Sequence, residues 1–315
     1  MFFLVWFFME VRIPSSLIHC KLPKLVRSSD KYVLDKKVLD LSDLVKEEFR
    51  EDNGHPPSNP SGRIHGWNGD YLSAVDWKRE LGLRTVDFKK EIYVSRNNET
   101  ELHVLPVRVS EDLASSHYYA ATDGNQDANP IACLGSYIIP VVLDPSGKAV
   151  LLVATRPESA FFRPGRFDAT GAAIPETSEG LNYVDVVAAK LLFKYGIKVD
   201  PVKVQSLGII TDNVVNYLIP SGFAFVREAD VSSDCELKAI PIKEFKDFVN
   251  KQAPIENWNY PALMAMCETI YFVSCLMKDD DLKDDAMAIR LGQYYRLQQK
   301  PLQERSVLQN LGIMK

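Results

Sequence analysis

The sequence has few cysteines and places none of them in pairs. Five cysteines are spread over 315 residues, with no C-x-x-C motif and no group of cysteines and histidines at zinc-ligand spacing. These absences exclude a disulfide-stabilised scaffold and a structural zinc site. Scattered cysteines are typical of reduced thiols, so we expect a cytoplasmic protein.

The chain also has no excess of positive charge. It contains 37 lysines and arginines against 42 aspartates and glutamates, a formal net charge of −5. Proteins that coat nucleic acid or anionic lipid need the opposite balance. We therefore expect no extended nucleic-acid binding.

Long apolar runs are absent too. Residues 1–8 are apolar, but Glu10 and Arg12 interrupt the run. A spanning helix needs about 20 apolar residues, and a secretory signal needs a basic start and a cleavage site. We expect a soluble protein with no membrane segment. Either Met1 or Met9 could be the first residue.

The first 130 residues predict a mixed α/β region with its own boundary. A short capped helix is indicated at 42–50, a second helix at 71–81, and a strand pair at 86–94 and 101–109. The polar stretch 110–130 follows, and we place a domain boundary at its end.

From residue 131 the pattern predicts an α+β domain. The apolar runs 134–143 and 149–154 flank a turn and indicate a hairpin. Asn182 caps a predicted helix over 184–195 that ends at Gly196. Further strands are indicated at 202–211, 214–219 and 222–227, and helices at 242–250, 261–277 and 286–298. We divide this part into a domain over 131–250 and a helical C-terminal extension over 251–315.

This order of elements over 131–250 resembles the Nudix hydrolase family. The strand 149–156, the Pro-Gly segment 163–168 and a glycine at Gly171 are similar to the elements that lead into the family's Nudix box. The resemblance implies a mixed sheet sandwiched by helices. It continues through Gly196 and Ile197 to the proline-containing segment 239–245.

The box itself departs from the family pattern G-x5-E-x7-R-E-U-x-E-E-x-G-U, where U is aliphatic. Counted back from Gly196, its Arg-Glu pair falls on Ala189 and Lys190, and its Glu-Glu pair on Phe193 and Lys194. The family's glutamates hold Mg²⁺ or Mn²⁺, and ammonium groups cannot replace such oxygen ligands. We therefore expect no standard Nudix hydrolysis, and we assign neither a metal nor a cofactor to the box.

Lys190 and Lys194 admit two interpretations. One turn apart on a helix, they could contact a phosphate directly. Alternatively they form a solvated face, while Val187, Leu191 and Tyr195 make the core stripe.

Three arginines and a glycine complete the predicted ligand site. Arg156, Arg163 and Arg166, together with Gly171, could hold a phosphate or a nucleotide-like small molecule. Surface pairing of these arginines with Glu158 and Asp168 is the alternative.

The remaining carboxylates define an alternative catalytic site. Glu176, Glu179 and Asp185 surround the glycine segment and the helix start, and only under this alternative do we expect Mg²⁺. Asp185 also has a capping explanation, and the two glutamates lie in a polar loop.

Three functions remain open from the sequence. The leading one is a nucleotide- or phosphate-binding or protein-interaction module. The second is an active metal-dependent hydrolase of a nucleoside diphosphate linked to another moiety, and the third is a structural subunit of a larger assembly. The apolar segment 261–277 indicates either a buried helix or a subunit interface, which leaves a homodimer open as well.

Overall fold

The computed structural model describes residues 24–27, 36–51, 70–75, 92–95, 101–108, 111, 114–115, 131–144, 146–158, 163–173, 182–212, 217–232 and 237–299. The helices are α1 (Lys36–Glu51), α2 (Tyr183–Tyr195), α3 (Phe245–Lys251), α4 (Tyr260–Met277) and α5 (Asp280–Gln299). The strands are β1 (Lys24–Arg27), β2 (Asp70–Val75), β3 (Ile92–Ser95), β4 (Glu101–Arg108), β5 (Ile131–Leu134), β6 (Ser136–Leu143), β7 (Ala149–Thr155), β8 (Phe167–Ala169), β9 (Ala172–Ala173), β10 (Gln205–Asp212), β11 (Tyr217–Arg227) and β12 (Lys238–Pro241).

The strands form one mixed sheet. Its main order is β1-β4-β2-β5-β11-β6-β7-β12, and β10 pairs with both β11 and β3, β8 with β7, and β9 with β6. Strands β5 and β6 run parallel to β11, as β1 does to β4, and the other pairs are antiparallel. The expected α+β class with a mixed sheet is confirmed.

Strands β5 and β6 act as one long strand against β11. Cys133 pairs with Tyr217 and Tyr137 pairs with Ser221, so the register is unchanged across Gly135. The amide of Gly135 donates to the carbonyl of Leu218 at 2.8 Å, which keeps the ladder closed at the junction. The two strands therefore form the centre of the sheet.

The sheet separates two apolar cores. Alternate residues of β6 enter opposite cores, because side chains of a strand alternate between its faces. Ile138 packs with α2 residues such as Val187 and Leu191. Ile139 packs with residues of α3, α4 and α5. The sheet is thus sandwiched by α2 on one face and by the C-terminal helices on the other, as expected.

The predicted hairpin and its turn are confirmed. Leu143 pairs with Ala149, and the Asp144 side chain accepts hydrogen bonds from the amides of Ser146 and Lys148, both at 2.8 Å. The hydrogen bonds from the Ser146 hydroxyl and then the Lys148 amide lower the pKa of Asp144. This aspartate therefore fixes the turn as a carboxylate.

Helix α2 begins and ends where the sequence predicts. The Asn182 side chain accepts a hydrogen bond from the Asp185 amide, and Gly196 adopts φ 62°, the left-handed conformation that favours glycine. Val187 and Leu191 are buried and Tyr195 packs partly against the same core, so the expected core stripe is confirmed.

Helix α4 is a core helix. It is long and apolar enough to cross a membrane by length and composition, with a mean hydropathy of 1.3, yet 83% of it is buried inside the molecule. Buried helices of soluble proteins meet the same criterion. Of the two sequence interpretations, the buried helix is confirmed.

Three predicted elements of the chain are wrong. The helix expected at 71–81 is instead strand β2 up to Val75, because its backbone pairs with β4 and β5 on both sides. Of the strands expected as a pair at 86–94 and 101–109, the described parts pair elsewhere: β3 pairs with β10, and β4 pairs with β1 and β2. The strands predicted separately at 214–219 and 222–227 are joined, because β11 runs without a break from Tyr217 to Arg227 and Pro220 lies within it.

The described strands of the first 130 residues belong to the same sheet as the later ones. Strand β2 extends it through β5, and β3 extends it through β10. The boundary expected at residue 130 stays a prediction.

Candidate functional site

A group of charged and amide side chains connects the segment after β7 to the start of α4. Arg156 donates from Nη1 to Oδ2 of Asp168 at 2.6 Å, and the carboxylate of Asp168 is almost completely buried. The other oxygen of Asp168 accepts from the amide of Ala169 at 2.8 Å. Burial of a carboxylate is tolerated here because it is both paired and hydrogen-bonded.

Arg163 forms the second ion pair of this group. Its Nη1 donates to Oδ2 of Asp212 at 2.8 Å and to Oδ1 of Asn259 at 2.7 Å. Arg163 is 6% exposed and has φ 47°, a conformation that a residue with a side chain rarely adopts. The segment therefore turns at Arg163 in a conformation that its buried contacts maintain.

Asn259 joins the two ion pairs. Its Nδ2 donates to Oδ1 of Asp168 at 2.9 Å and to the hydroxyl of Tyr137 at 3.0 Å, while its Oδ1 accepts from Arg163. Asn259 occupies the N-cap position of α4, but its side chain makes no capping hydrogen bond. An asparagine at this position usually caps its own helix. Here its side chain instead hydrogen-bonds to residues of the strands and of the loop. We call Arg156, Arg163, Asp168, Asp212 and Asn259 the polar network.

Aromatic rings close the network on the side of α4. The guanidinium carbons of Arg163 and Arg166 lie 5.2 and 5.4 Å from the centroid of the Tyr260 ring, within cation–π range. Burial, and then the charge of Asp168, raise the pKa of Tyr137 far above its usual range. Tyr137 is therefore neutral at physiological pH, and its hydroxyl accepts from Nδ2 of Asn259.

The polar network balances its charges internally. Two guanidinium groups face two carboxylates in a buried setting, so their first chemical role is to hold the loop, β8, β10 and α4 in fixed positions. Phosphate binding by Arg156 and Arg163 stays a prediction, and a phosphate there would have to share these guanidinium groups with Asp168 and Asp212.

Gly171 has a packing reason to be glycine. Its carbonyl accepts from the amide of Ile138 at 2.8 Å, and a Cβ atom at this position would overlap with the carbonyl oxygen of Ile138. The glycine thus permits close approach of the segment to β6. This is the local conformation from which the chain continues toward α2.

The two predicted lysines lie away from the arginines. Lys190 is half-buried and Lys194 is exposed on α2, which packs on the opposite face of the sheet from α4. Nζ of Lys194 lies 4.9 Å from the centroid of the Tyr195 ring. The structure brings Arg156, Arg163 and Arg166 together around Tyr260 and Asp168, and does not bring Lys190 and Lys194 to them.

The alternative carboxylates are only partly placed. Asp185 is exposed at the start of α2, where its carboxylate accepts from the side chain of Asn182. Glu176 and Glu179 lie outside the described residues. Within the part of the chain that the structure describes, no group of three or more histidine, cysteine, aspartate or glutamate side chains could hold a metal ion.

Sequence reasoning missed Asp212, Asn259 and Tyr137. Asp212 ends a strand, and Asn259 has the ordinary appearance of a helix cap before Pro261, so neither differs in pattern from a surface residue. Tyr137 lies in an apolar strand and is typical of core residues. The one available signal was the group of arginines at 156–166, for which the sequence offered only the nearby Glu158 and Asp168 as partners.

The described elements define an α+β protein whose mixed sheet lies between α2 and the α3–α5 face. No family model and no curated protein matches the sequence. Among solved structures, the chain is similar to Tm1382, a candidate Nudix hydrolase, at 11% identity, covering 57% of this chain and 90% of that one with a TM-score of 0.36.

Two further solved structures are similar to parts of the chain. RenU, a Nudix hydrolase from M. smegmatis, is 12% identical over 36% of this chain and 73% of that one, with a TM-score of 0.25. The C-terminal domain of mouse MUTYH in complex with human PCNA is 14% identical over 36% of this chain and 74% of that one, with a TM-score of 0.30. The function of this chain has to be argued from its own residues.

Proposed function

We propose that the chain is a non-hydrolytic binding module that holds an anionic ligand against the exposed face of α2. The observation that carries the proposal is the charge of this helix. Between Asp185 and Asp200 the chain has no acidic residue, whereas Lys190 and Lys194 lie one turn apart near the C-terminal end of α2. A hard divalent cation needs oxygen ligands, and this face offers ammonium groups instead.

The physical basis of binding would be direct charge pairing. Two ammonium groups at i and i+4 lie about 5–6 Å apart at their Cβ atoms, close enough for one phosphate or carboxylate group to contact both. Such charge-assisted hydrogen bonds are roughly twice as strong as neutral ones. The ligand would supply the negative charge that the family pattern places on the protein.

Two measurements on the purified chain test the proposal. The first incubates it with a panel of nucleoside diphosphates linked to other moieties, with Mg²⁺ or Mn²⁺, and measures release of nucleoside monophosphate. The second measures the unfolding temperature with ADP-ribose or with a poly-glutamate peptide, without metal, because a ligand of the native state raises its stability. We expect no release, and stabilisation by at least one of the two probes.

Charge reversal identifies the binding face. Lys194→Glu should abolish the stabilisation, and Lys148→Glu, an exposed lysine in the β6–β7 turn, should leave it intact. Metal-dependent release that is lost in Glu176→Gln or Glu179→Gln would instead establish the hydrolase. Silence with both probes would contradict binding and favour a structural role in an assembly.

A further inference from the structure

Exposed apolar side chains are concentrated at the end of α2. In the part of the chain that the structure describes, nine large apolar residues are exposed, and three of them lie between residues 192 and 202. Leu192 is 54% exposed, Phe193 is 67% exposed and Val202 is 92% exposed. The turn at 201–203 packs against α2, so these side chains belong to neighbouring segments. We call Leu192, Phe193 and Val202 the apolar patch.

Four lysines lie along the same stretch of chain as the apolar patch. Lys190 is three residues before Phe193, a spacing that makes two side chains neighbours on a helix, and Lys194 follows Phe193 directly. The exposed Lys198 and Lys203 lie on the segment that contains Val202. The acidic residues of this stretch are Asp185, at the far end of α2, and Asp200, whose Oδ2 lies 3.5 Å from Nζ of Lys203. The turn at 228–230 is also adjacent, since the carbonyl of Asp230 accepts from the amide of Lys198 at 2.9 Å, and the Asp230 carboxylate is paired with Arg227 at 3.0 Å. Along 185–203 itself, four lysines stand against two aspartates, on a chain whose net charge is negative.

Two adjacent exposed apolar residues at the end of α4 lack this feature. Leu276 and Met277 end α4, and Lys278 beside them is followed by the exposed Asp280 and Asp281. Exposed apolar side chains therefore lie among mainly positive charges at the end of α2, and among charges of both signs at the end of α4.

We infer that the α2 surface docks an acidic peptide segment of a partner protein through one large apolar side chain placed against Leu192 and Phe193. Apolar groups give the contact its free energy of binding, and a complementary rim of charge gives rate and selectivity. A nucleotide would use the lysines but would leave Leu192 and Val202 without a role. This inference rests on the proposed anion-binding face and names its ligand class.

Nucleic acid fits the surface less well. Its affinity comes mainly from many lysine and arginine contacts to phosphates, and the stretch 182–203 contains four lysines and no arginine. A short peptide in which aspartate or glutamate flanks a leucine, phenylalanine or tryptophan matches both the rim and the centre.

A displayed library of random twelve-residue peptides, selected on the full chain, tests this directly. We expect enrichment of acidic peptides that contain at least one large apolar residue. The enriched peptides, synthesised with a fluorescent label, should bind the chain with a Kd at least tenfold lower than they bind Phe193→Ser or Lys194→Glu. The matched controls are Leu291→Ser on α5 and Lys148→Glu, which should bind as the unaltered chain does. If Phe193→Ser is unstable by thermal unfolding, Leu192→Ser makes the same test.

Several results would overturn the inference. They are no enrichment, enrichment of peptides without acidic residues, equal binding to Phe193→Ser, and tighter binding of a single-stranded DNA of similar length than of any peptide. If ADP-ribose stabilises the chain through Lys194 and no peptide binds, the proposed anion-binding function is supported and the inferred peptide ligand is wrong. Metal-dependent hydrolysis would contradict the proposed function itself.

Discussion

Arg163 occupies a left-handed backbone conformation that costs an ordinary residue roughly 1–2 kcal/mol. Two buried hydrogen bonds from its Nη1, to Asp212 and Asn259, offset this cost and connect the loop to β10 and α4. Removing the guanidinium would take away the cationic group that lies 2.8 Å from the carboxylate of Asp212, which is 1% exposed. Because both side chains are buried, the native state should depend on this ion pair more than it would on a surface ion pair.

Arg163→Met should therefore lower the free energy of unfolding by about 3–5 kcal/mol, the usual cost of breaking a buried pair from one side. Urea denaturation measures the change. The double variant Arg163→Met/Asp212→Leu removes both charges and should recover a large part of the loss. If the double variant is no more stable than Arg163→Met alone, the loss of unfolding free energy does not come from the remaining charge of Asp212.

Two cysteines of α4 should differ sharply in reactivity. Burial raises the pKa of Cys267 to about 12, although the charge of Arg290 lowers it slightly, while Cys275 is half-buried. The thiolate is the reactive form. A maleimide at pH 8 should label Cys275 in the native protein, and label Cys267 only when urea opens the fold.

Mass spectrometry of the two peptides separates these sites from the other cysteines. Equal labelling rates in native buffer would contradict the burial of Cys267 in the core beneath α4.

Two positions in the chain require glycine for different reasons. At Gly171 a side chain would collide with the backbone of β6, whereas at Gly147 there is open space and the left-handed backbone, φ 78°, is what favours glycine. Backbone cannot move aside as a flexible side chain can, so the two glycines should respond differently to the same added methyl group.

Gly171→Ala should destabilise the protein by about 3 kcal/mol or more, since the strand or the segment must shift to relieve the overlap. Gly147→Ala should cost only about 1–2 kcal/mol, the left-handed backbone penalty. Urea unfolding of both variants provides the comparison. Equal losses would show that β6 accommodates the methyl group.

Local signals predicted the elements whose partners are near in sequence. The β6–β7 hairpin follows from Asp144 and the apolar runs beside it, and α2 follows from Asn182 and Gly196. The segment 71–81 was predicted as a helix because its apolar residues have helical spacing, whereas its first part is strand β2 because it pairs with β4 and β5. Non-local pairing has no signature within a single segment.

The same distinction applies to the candidate site. Lys190 and Lys194 are predictable because one helix sets their relation, and α2 formed as expected. The polar network joins residues from four separate parts of the chain, with Asp212 and Asn259 far from Arg163 in sequence. These contacts depend on the order of the strands in the sheet. The sequence therefore offered the nearby Asp168 as a partner of the arginines but not Asp212 or Asn259.

At the scale of the whole molecule, the sheet includes described strands from both sides of residue 130. A chain truncated to residues 131–315 would expose the β5 edge that faces β2 and the β10 edge that faces β3. Unpaired edges promote association. We expect the truncated chain to aggregate or to unfold at lower temperature than the full chain, measured by light scattering and thermal unfolding. A soluble truncated chain of unchanged unfolding temperature would establish the boundary at residue 130.

Stability should decrease in alkaline solution. Burial raises the pKa of Cys267 from 9.0 to about 12, and hydrogen bonds to Asp285 and Asp279 raise the pKa of Lys246 and Lys243. A raised pKa in the folded state gives stability that is complete below the unfolded value and is lost as the pH rises through the folded value.

The thiol should therefore reduce stability first, from about pH 9 upward. Cys267→Ala should flatten the fall in unfolding free energy between pH 9 and pH 11, as followed by urea titrations at each pH. An unchanged slope would assign the alkaline loss to other groups.

The parallel pairing of Tyr137 with Ser221 has a kinetic consequence. The first of these central strands leaves the ribosome long before the second, and the hairpin partner β7 is the neighbour that reaches β6 early. Until β11 has been synthesised, the edge of β6 that pairs with it stays unpaired. Contacts between segments that are far apart in the chain also form slowly. Folding of this protein in the cell should accordingly depend on protection of that edge during synthesis, and slowing translation between the two strands should lower the yield of soluble chain.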